Sequence, residues 1–280
     1  MFAALGGAVD LERKVAAMTG ADDLQLAFAV ADRAARLALQ YFEAGVSVTP
    51  KADGSPVTAA DHAVERLLRE SLAAARPGDA LLGEEFGRVG DAARVWILDP
   101  IDGTGFFSRR DPNWRIHIAL EVAGAVELAV VTAPALGYRW WATRGGGAYE
   151  STWPRAHGEP ARLAVRSTRS LAEATVDALD DASRARLPQE ACRAAPSPLP
   201  LVELVRGELD GFLAERYFAW DHAPWILIVE EAGGRFTDRC GGRAADQGGG
   251  LYSGAALHDQ LLAALGYPAD GSGDVAPLLA

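Results

Sequence analysis

The sequence predicts a layered α+β fold, and three observations carry that expectation. Two Ala- and Leu-rich stretches of helical periodicity open the chain, at about residues 21–44 and 58–75. A series of short strand-like runs separated by Gly and Pro turns follows between Arg115 and Tyr149. The remainder mixes short strands with one nearly all-apolar helix, without the regular alternation of a βαβ wheel.

Taken in order, Met1–Gly20 is rich in Ala and Gly but carries Asp10, Glu12, Arg13 and Lys14. It reads as a flexible leader, because a signal peptide places its charge before an apolar core. In Ala21–Ala44, Leu24, Ala27, Phe28, Ala31, Ala35, Ala38 and Phe42 recur on one helical face, and Gly45 stops the helix. Val46–Pro56, with two Pro, reads as a loop or irregular hairpin. A second helix covers about Thr58–Ala75, with Val64, Leu67, Leu68 and Leu72 on one face, until Arg76-Pro77-Gly78-Asp79 ends it. Ala80–Leu82 and Val95–Leu98 read as strands, and Ile116–Val122, Val126–Thr132, Arg139–Ala142 and Gly147–Tyr149 as an antiparallel meander. The triple glycine at 145–147 lacks the Lys-Ser/Thr of a phosphate loop and reads as a hairpin turn. Further on, Leu163–Val165, Thr175–Ala178 and Leu209–Ala214 read as strands. Pro198–Arg206, Ala223–Ala232 and Ala256–Leu265 read as helices.

With 280 residues, the chain is long enough for one large domain or two halves sharing a core. Its net charge of −11 argues against nucleic acid or an anionic membrane as the main partner. A phosphorylated substrate stays compatible, since bound cations reverse the local field around clustered acids. The two cysteines, Cys192 and Cys240, stand alone and read as reduced thiols of a cytoplasmic protein. No run approaches the length of a membrane span.

Chemistry concentrates in Trp96–Thr104, W-I-L-D-P-I-D-G-T. An apolar run ends there in Asp99 and Asp102, with Pro100 and Gly103 breaking the backbone so that both acids sit on a turn. Two like charges at the rim of a core are unfavourable unless a cation binds between them. Carboxylate oxygens are the ligands Mg2+ takes, and the N–H groups of Gly103 and Thr104 are placed to hold a phosphate. Glu84-Glu85 and Asp221 stand at the ends of other buried elements. His117, between Ile116 and Ile118, and His222, beside Asp221, read as structural histidines.

Four motifs in the same order resemble the inositol monophosphatase superfamily: K-A-D-G-S-P-V-T-A-A-D (Lys51–Asp61), G-E-E (Gly83–Glu85), D-P-I-D-G-T (Asp99–Thr104), and W-D-H-A (Trp220–Ala223) with E-A-G-G (Glu231–Gly234). The resemblance covers about Leu24 to Leu265. It implies a five-layered αβαβα sandwich in a single phosphatase domain, 21–268. Residues 21–150 form its metal and phosphate half, 155–268 its substrate half, and 269–280 a tail. It also implies a Mg2+-dependent phosphomonoesterase with two to three ions, inhibited by Li+ and usually a homodimer.

By motif position, Glu84 resembles a ligand of the first metal that orients the attacking water. Asp99 resembles the bridge between two metals, with the Ile101 carbonyl on the first. Asp102 and Asp221 match the remaining ligands of the second metal. Thr104 would position the water, and the Gly103 and Thr104 amides would hold phosphate oxygens. Asp53 and Thr58 match the loop that reaches a third metal and the water.

The strings at Lys51–Thr58 and Tyr138–Tyr149, with Trp114, look closest to the histidinol-phosphate phosphatase branch, which makes histidinol phosphate the leading substrate. Inositol or sugar phosphates, adenosine 3′,5′-bisphosphate, or the substrate of a specialised biosynthetic phosphatase are the alternatives. Arg109-Arg110, and Ser197 in place of an expected Asp, depart from that branch. Glu215, Ser197 and Arg109 are the expected substrate contacts. A non-catalytic homologue that only binds metal and phosphate is the reading from a different class.

Overall fold

In the computed structural model, which describes residues 3–51, 54–154 and 159–267, helix α1 spans Ala3–Ala44 and so continues back through the segment read as a leader. It ends where Gly45 turns to a φ of +80°, a conformation that costs glycine nothing. Helix α2 (Ala59–Ala75) starts from Thr58 as its N-cap and packs on α1 through the buried Ala27, Ala31, Ala34, Ala35 and Ala38. Between them β1 (Val48–Pro50) and β2 (Pro56–Thr58) form a hairpin, one of the two forms expected of this segment.

The large sheet contains β3 (Ala80–Gly83), β4 (Gly87–Val89), β5 (Arg94–Asp102), β6 (Arg115–Val122), β7 (Ala125–Ala133), β8 (Tyr138–Thr143), β9 (Gly147–Thr152) and β10 (Ala161–Arg162). Their order is β10-β9-β8-β7-β6-β5-β3-β4. Only β3 and β5 run parallel; every other pairing is antiparallel. A short helix, α3 (Thr104–Ser108), follows β5. The second sheet combines β11 (Val176–Ala178), β12 (Gly211–Ala214), β13 (Gly234–Asp238) and β14 (Gly250–Gly254) in the order β11-β12-β14-β13. Helices α4 (Asp181–Arg184), α5 (Pro200–Val205), α6 (Ala219–Glu231) and α7 (His258–Leu265) complete the chain.

Side-chain alternation along the strands builds five layers. Trp96 and Leu98 of β5, with Ile116, Ile118 and Leu120 of β6, face α1 and α2. Val95, Ile97 and Ala119 point the other way, into a core shared with α5, α6 and the inner face of the small sheet at Phe212, Phe236 and Tyr252. Leu213 and Leu251, on that sheet's outer face, pack against Leu261, Leu262 and Leu265 of α7. Helix α6 lies between two sheets, so residues 222–229 are buried without interruption and the helix has no polar face. The αβαβα sandwich is the one expected.

Three local expectations change. Strand β5 does not stop at Leu98; it carries both acids, with a register irregularity between Asp99 and Asp102 in its pairing to β6. Leu163–Val165 is not a strand, because β9 pairs with Ala161–Arg162 instead. β13 and β14 were not expected: both are bounded by glycines, Gly234 and Gly250, which read as loop.

Candidate active site

The site forms where β5 leaves the large sheet. Asp99 Oδ1 accepts the Ile101 N–H at 2.9 Å, folding the strand end back on itself. Gly103 follows with φ +87°; a Cβ there would lie 3.2 Å from both the Asn113 carbonyl and the Phe106 ring. Its carbonyl then accepts the N–H groups of Phe106 (2.8 Å) and Phe107 (3.0 Å), starting α3. The amides of Gly103 and Thr104 find no acceptor among the described residues.

The third acid arrives from α6. Asp221 lies in its first turn and reaches back to accept the Phe218 N–H at 2.6 Å. One oxygen each of Asp99, Asp102 and Asp221 lie within 4.8 Å of one another. Burial, then the neighbouring carboxylates led by Glu84, push the Asp99 carboxyl well above its ordinary range. Burial and Asp102 do the same to Asp221. At Asp102 burial also raises the carboxyl, but Arg115 and then His117 outweigh it and hold it low.

Glu84 enters on the turn after β3, which is tied to β5 by Glu84 N–H to Leu98 O at 3.3 Å. Lys51 Nζ lies 2.7 Å from Glu84 Oε1 and 2.7 Å from Glu85 Oε1. Burial raises Glu84 against the pull of Lys51, to about 7. The turn is held by a residue the sequence reading passed over: buried Glu65 of α2 accepts Glu85 N–H (2.7 Å) and Phe86 N–H (3.2 Å) and pairs with Arg69.

Asp61 is the second residue passed over. It is fully buried, and its Oδ2 accepts from the N–H (2.8 Å) and hydroxyl (2.6 Å) of Thr58. Its Oδ1 takes the Thr104 hydroxyl at 3.1 Å, while the Ile101 carbonyl lies 3.2 Å from the same hydroxyl. Thr104 is thus oriented through its proton. Both acids lie on the apolar face of α2, with Asp61, Glu65, Leu68 and Leu72 at helical spacing; charge on a buried stripe was the available signal.

The other expected residues divide. Thr58 is the α2 N-cap, accepting Ala60 N–H at 3.1 Å. Asp53 lies outside the described residues. Ser197 holds the loop before α5, accepting Leu199 N–H (3.0 Å) and donating to Glu203 (2.7 Å). Glu215 pairs with Arg186 and accepts the Tyr267 hydroxyl at 2.9 Å. Arg109 is exposed and stacks on Phe106, 5.4 Å from the ring centroid. None of these three lines the cleft beside Asp102 and Asp221, which is walled by Arg115, residues 199–202, Tyr217 and Trp225.

His222 is structural, as expected, whereas His117 belongs to the site: its buried Nε2 has no hydrogen-bond partner among the described residues and lies 3.5 Å from Asp102 Oδ2. His222 is fully buried between Tyr252 Oη (2.7 Å) and the Ala245 carbonyl (2.5 Å), and burial lowers it to about 4. His117 Nδ1 lies 3.2 Å from the Trp220 carbonyl. That carbonyl is free because Pro224, four residues on, has no N–H to offer it.

An inositol monophosphatase family model matches residues 21–267. The chain belongs to the inositol monophosphatase family. A Streptomyces griseus relative bearing the name glucose-1-phosphate thymidylyltransferase is 39% identical, covering 85% of this chain and 94% of its own length. The Mycobacterium tuberculosis histidinol-phosphatase is 38% identical, covering 87% and 98%. Among solved structures, the Thermotoga maritima IMPase matches with a TM-score of 0.75 at 28% identity, covering 88% of this chain and 97% of that one. The family is one of phosphatases, phosphoric monoester hydrolases.

The donor set fits a hard divalent cation. Asp99, Asp102 and Asp221 offer oxygen only, and Asp99 and Asp221, whose carboxyls burial and then neighbouring carboxylates raise, form no ion pair among the described residues.

Proposed function

We propose that this chain is a Mg2+-dependent phosphomonoesterase acting on a small phosphorylated metabolite. The convergence of Asp99, Asp102 and Asp221 from two layers of the sandwich carries the reading. These three acids, with Glu84 and the Ile101 carbonyl, would hold the ions. Bound Mg2+ supplies positive charge for the phosphate oxygens and makes water more acidic.

The chain's own groups do the rest. Asp61 takes the Thr104 proton, so Thr104 Oγ1 turns a lone pair outward to orient a water. The amides of Gly103 and Thr104 receive phosphate oxygens. Lys51 keeps Glu84 and Glu85 together at the rim. Phosphate release from p-nitrophenyl phosphate, with Mg2+ and with EDTA, tests the proposal. Mg2+-dependent release supports it, and none with a folded protein refutes it.

Histidinol phosphate enters as a substrate through the 38% identical relative. An inositol or sugar phosphate is the alternative; Ser197 and Glu215, the expected substrate contacts, are committed to Glu203, Arg186 and Tyr267 and favour neither substrate.

A further inference from the structure

Arg115 lies opposite Asp102 in the register of β5 and β6 and shares a face of β6 with His117. Its Nε meets Asp102 Oδ2 at 2.5 Å, and Nη2 contacts the same oxygen. Nη1 donates to the Pro198 carbonyl at 3.1 Å. The guanidinium therefore ties the end of β5 to the loop before α5, and both of its contacts with Asp102 use one oxygen, leaving Oδ1 as the atom for a cation. Three of its five N–H donors are committed and two are not.

Tyr217 stands in the same cleft, and no described residue hydrogen-bonds its hydroxyl. The remaining wall is Leu199, Pro200, Leu201, Val202 and Trp225, all without charge. The only acids lining the cleft are Asp102 and Asp221, which the proposed function assigns to the ions. With those acids engaged, the leaving-group side of the cleft offers N–H and O–H donors and a positive charge. Among the described residues that line it, no further carboxylate is free for an ammonium.

We infer that Arg115 and Tyr217 set leaving-group specificity, selecting an alcohol that carries oxygen acceptors (hydroxyls or a carboxylate) and rejecting one that carries an ammonium. This rests on the phosphatase reading above. An ammonium in the cleft would meet a guanidinium of like charge, with the Tyr217 hydroxyl oxygen as its one side-chain acceptor apart from the two acids. A hydroxyl or carboxylate oxygen satisfies the two spare guanidinium donors, and the Tyr217 hydroxyl adds a third contact. The arrangement weighs against histidinol phosphate, whose leaving alcohol carries an ammonium.

The test compares kcat/KM of the Mg2+-loaded enzyme for p-nitrophenyl phosphate, glycerol 2-phosphate, phosphoglycolate, phosphoethanolamine and histidinol phosphate. The two acceptor-bearing alcohols are expected to exceed the two amines by about 10- to 100-fold, the worth of one or two charge-assisted hydrogen bonds. Tyr217→Phe removes only the hydroxyl and should narrow that ratio by raising KM for the acceptor-bearing alcohols. Arg115→Met should narrow it further, and Arg115→Lys should restore part of it. Amines turned over as well as the acceptor-bearing alcohols, or a ratio untouched in all three variants, would overturn the inference while leaving the phosphatase reading intact. Absence of p-nitrophenyl phosphate hydrolysis would overturn the phosphatase reading, and this inference with it.

Discussion

Asp61→Asn separates the two tasks of a single buried carboxylate. Oδ2 accepts two hydrogen bonds from Thr58, and Oδ1 accepts one from Thr104. An asparagine satisfies Thr58 only by turning its oxygen to the cap, which places its NH2 against the Thr104 hydroxyl. The asparagine then donates where the aspartate accepted, and Thr104 Oγ1 spends a lone pair on it. Thr104 still has the Ile101 carbonyl, 3.2 Å away, for its proton. Folding therefore loses only the charge-assisted part of the bonds, about 1–2 kcal/mol. Catalysis loses the outward lone pair, and kcat should fall about 100-fold with KM nearly unchanged. Urea unfolding and steady-state phosphate release read the two effects separately. Thr104→Val should match the kinetic loss, and the double variant should be no worse than either single one. A folded Asp61→Asn protein with wild-type kcat, or losses that multiply in the double variant, would refute the coupling.

Other expectations follow from the same structure. Burial lifts Glu84 to about 7 and raises Asp99 and Asp221, so the metal-free fold keeps protons that the unfolded chain has released. That contribution is full below the ordinary carboxylate range and is lost as pH rises through about 7. Since Mg2+ competes with those protons, the Tm gain on adding Mg2+ over EDTA should be larger at about pH 8 than at about pH 5; an equal gain would contradict it. His222 runs the opposite way. Burial lowers it to about 4, so its contribution is present above its unfolded range near 6.5 and lost as pH falls toward 4. His222→Gln should flatten an acid loss of about 3 kcal/mol in urea midpoints, and an unchanged acid limb would dismiss this role. Gly249 has φ +93°, and a Cβ there would lie 2.0 Å from the Ala214 carbonyl. Gly249→Ala should cost about 2–4 kcal/mol; a variant as stable as the parent would show that β12 yields freely.

What could be read in advance follows from where each signal lies in the chain. Asp99 and Asp102 were legible because an apolar strand ends in them, and Asp221 because it opens a helix too apolar for any surface. Periodicity located α1, α2 and the meander, whereas the five layers came with the family resemblance; the meander buries both of its faces, one against α1 and α2 and the other against α6. Asp61 and Glu65 escaped because helix α2 was read by its leucines, although the two acids share the buried face with Leu68 and Leu72. Arg115 and His117 were hidden in a strand whose partner register only the fold reveals. Ser197 and Glu215 were placed by motif position alone, and local pairings with Glu203 and Arg186 decide their contacts instead. The short strands β13 and β14 gave no alternation long enough to separate them from the glycine turns around them.

The central claim is that Asp99, fully buried and cross-strand from His117, anchors the cations on which phosphate hydrolysis depends. Asp99→Asn keeps shape and volume while removing the charge. Calorimetric titration with Mg2+ or Mn2+, run beside phosphate release from p-nitrophenyl phosphate, measures both halves of the claim. Asp99→Asn should give a folded variant whose metal affinity drops at least about tenfold and whose turnover falls by about 1,000-fold or more. A folded variant that binds metal and releases phosphate like the parent would contradict it.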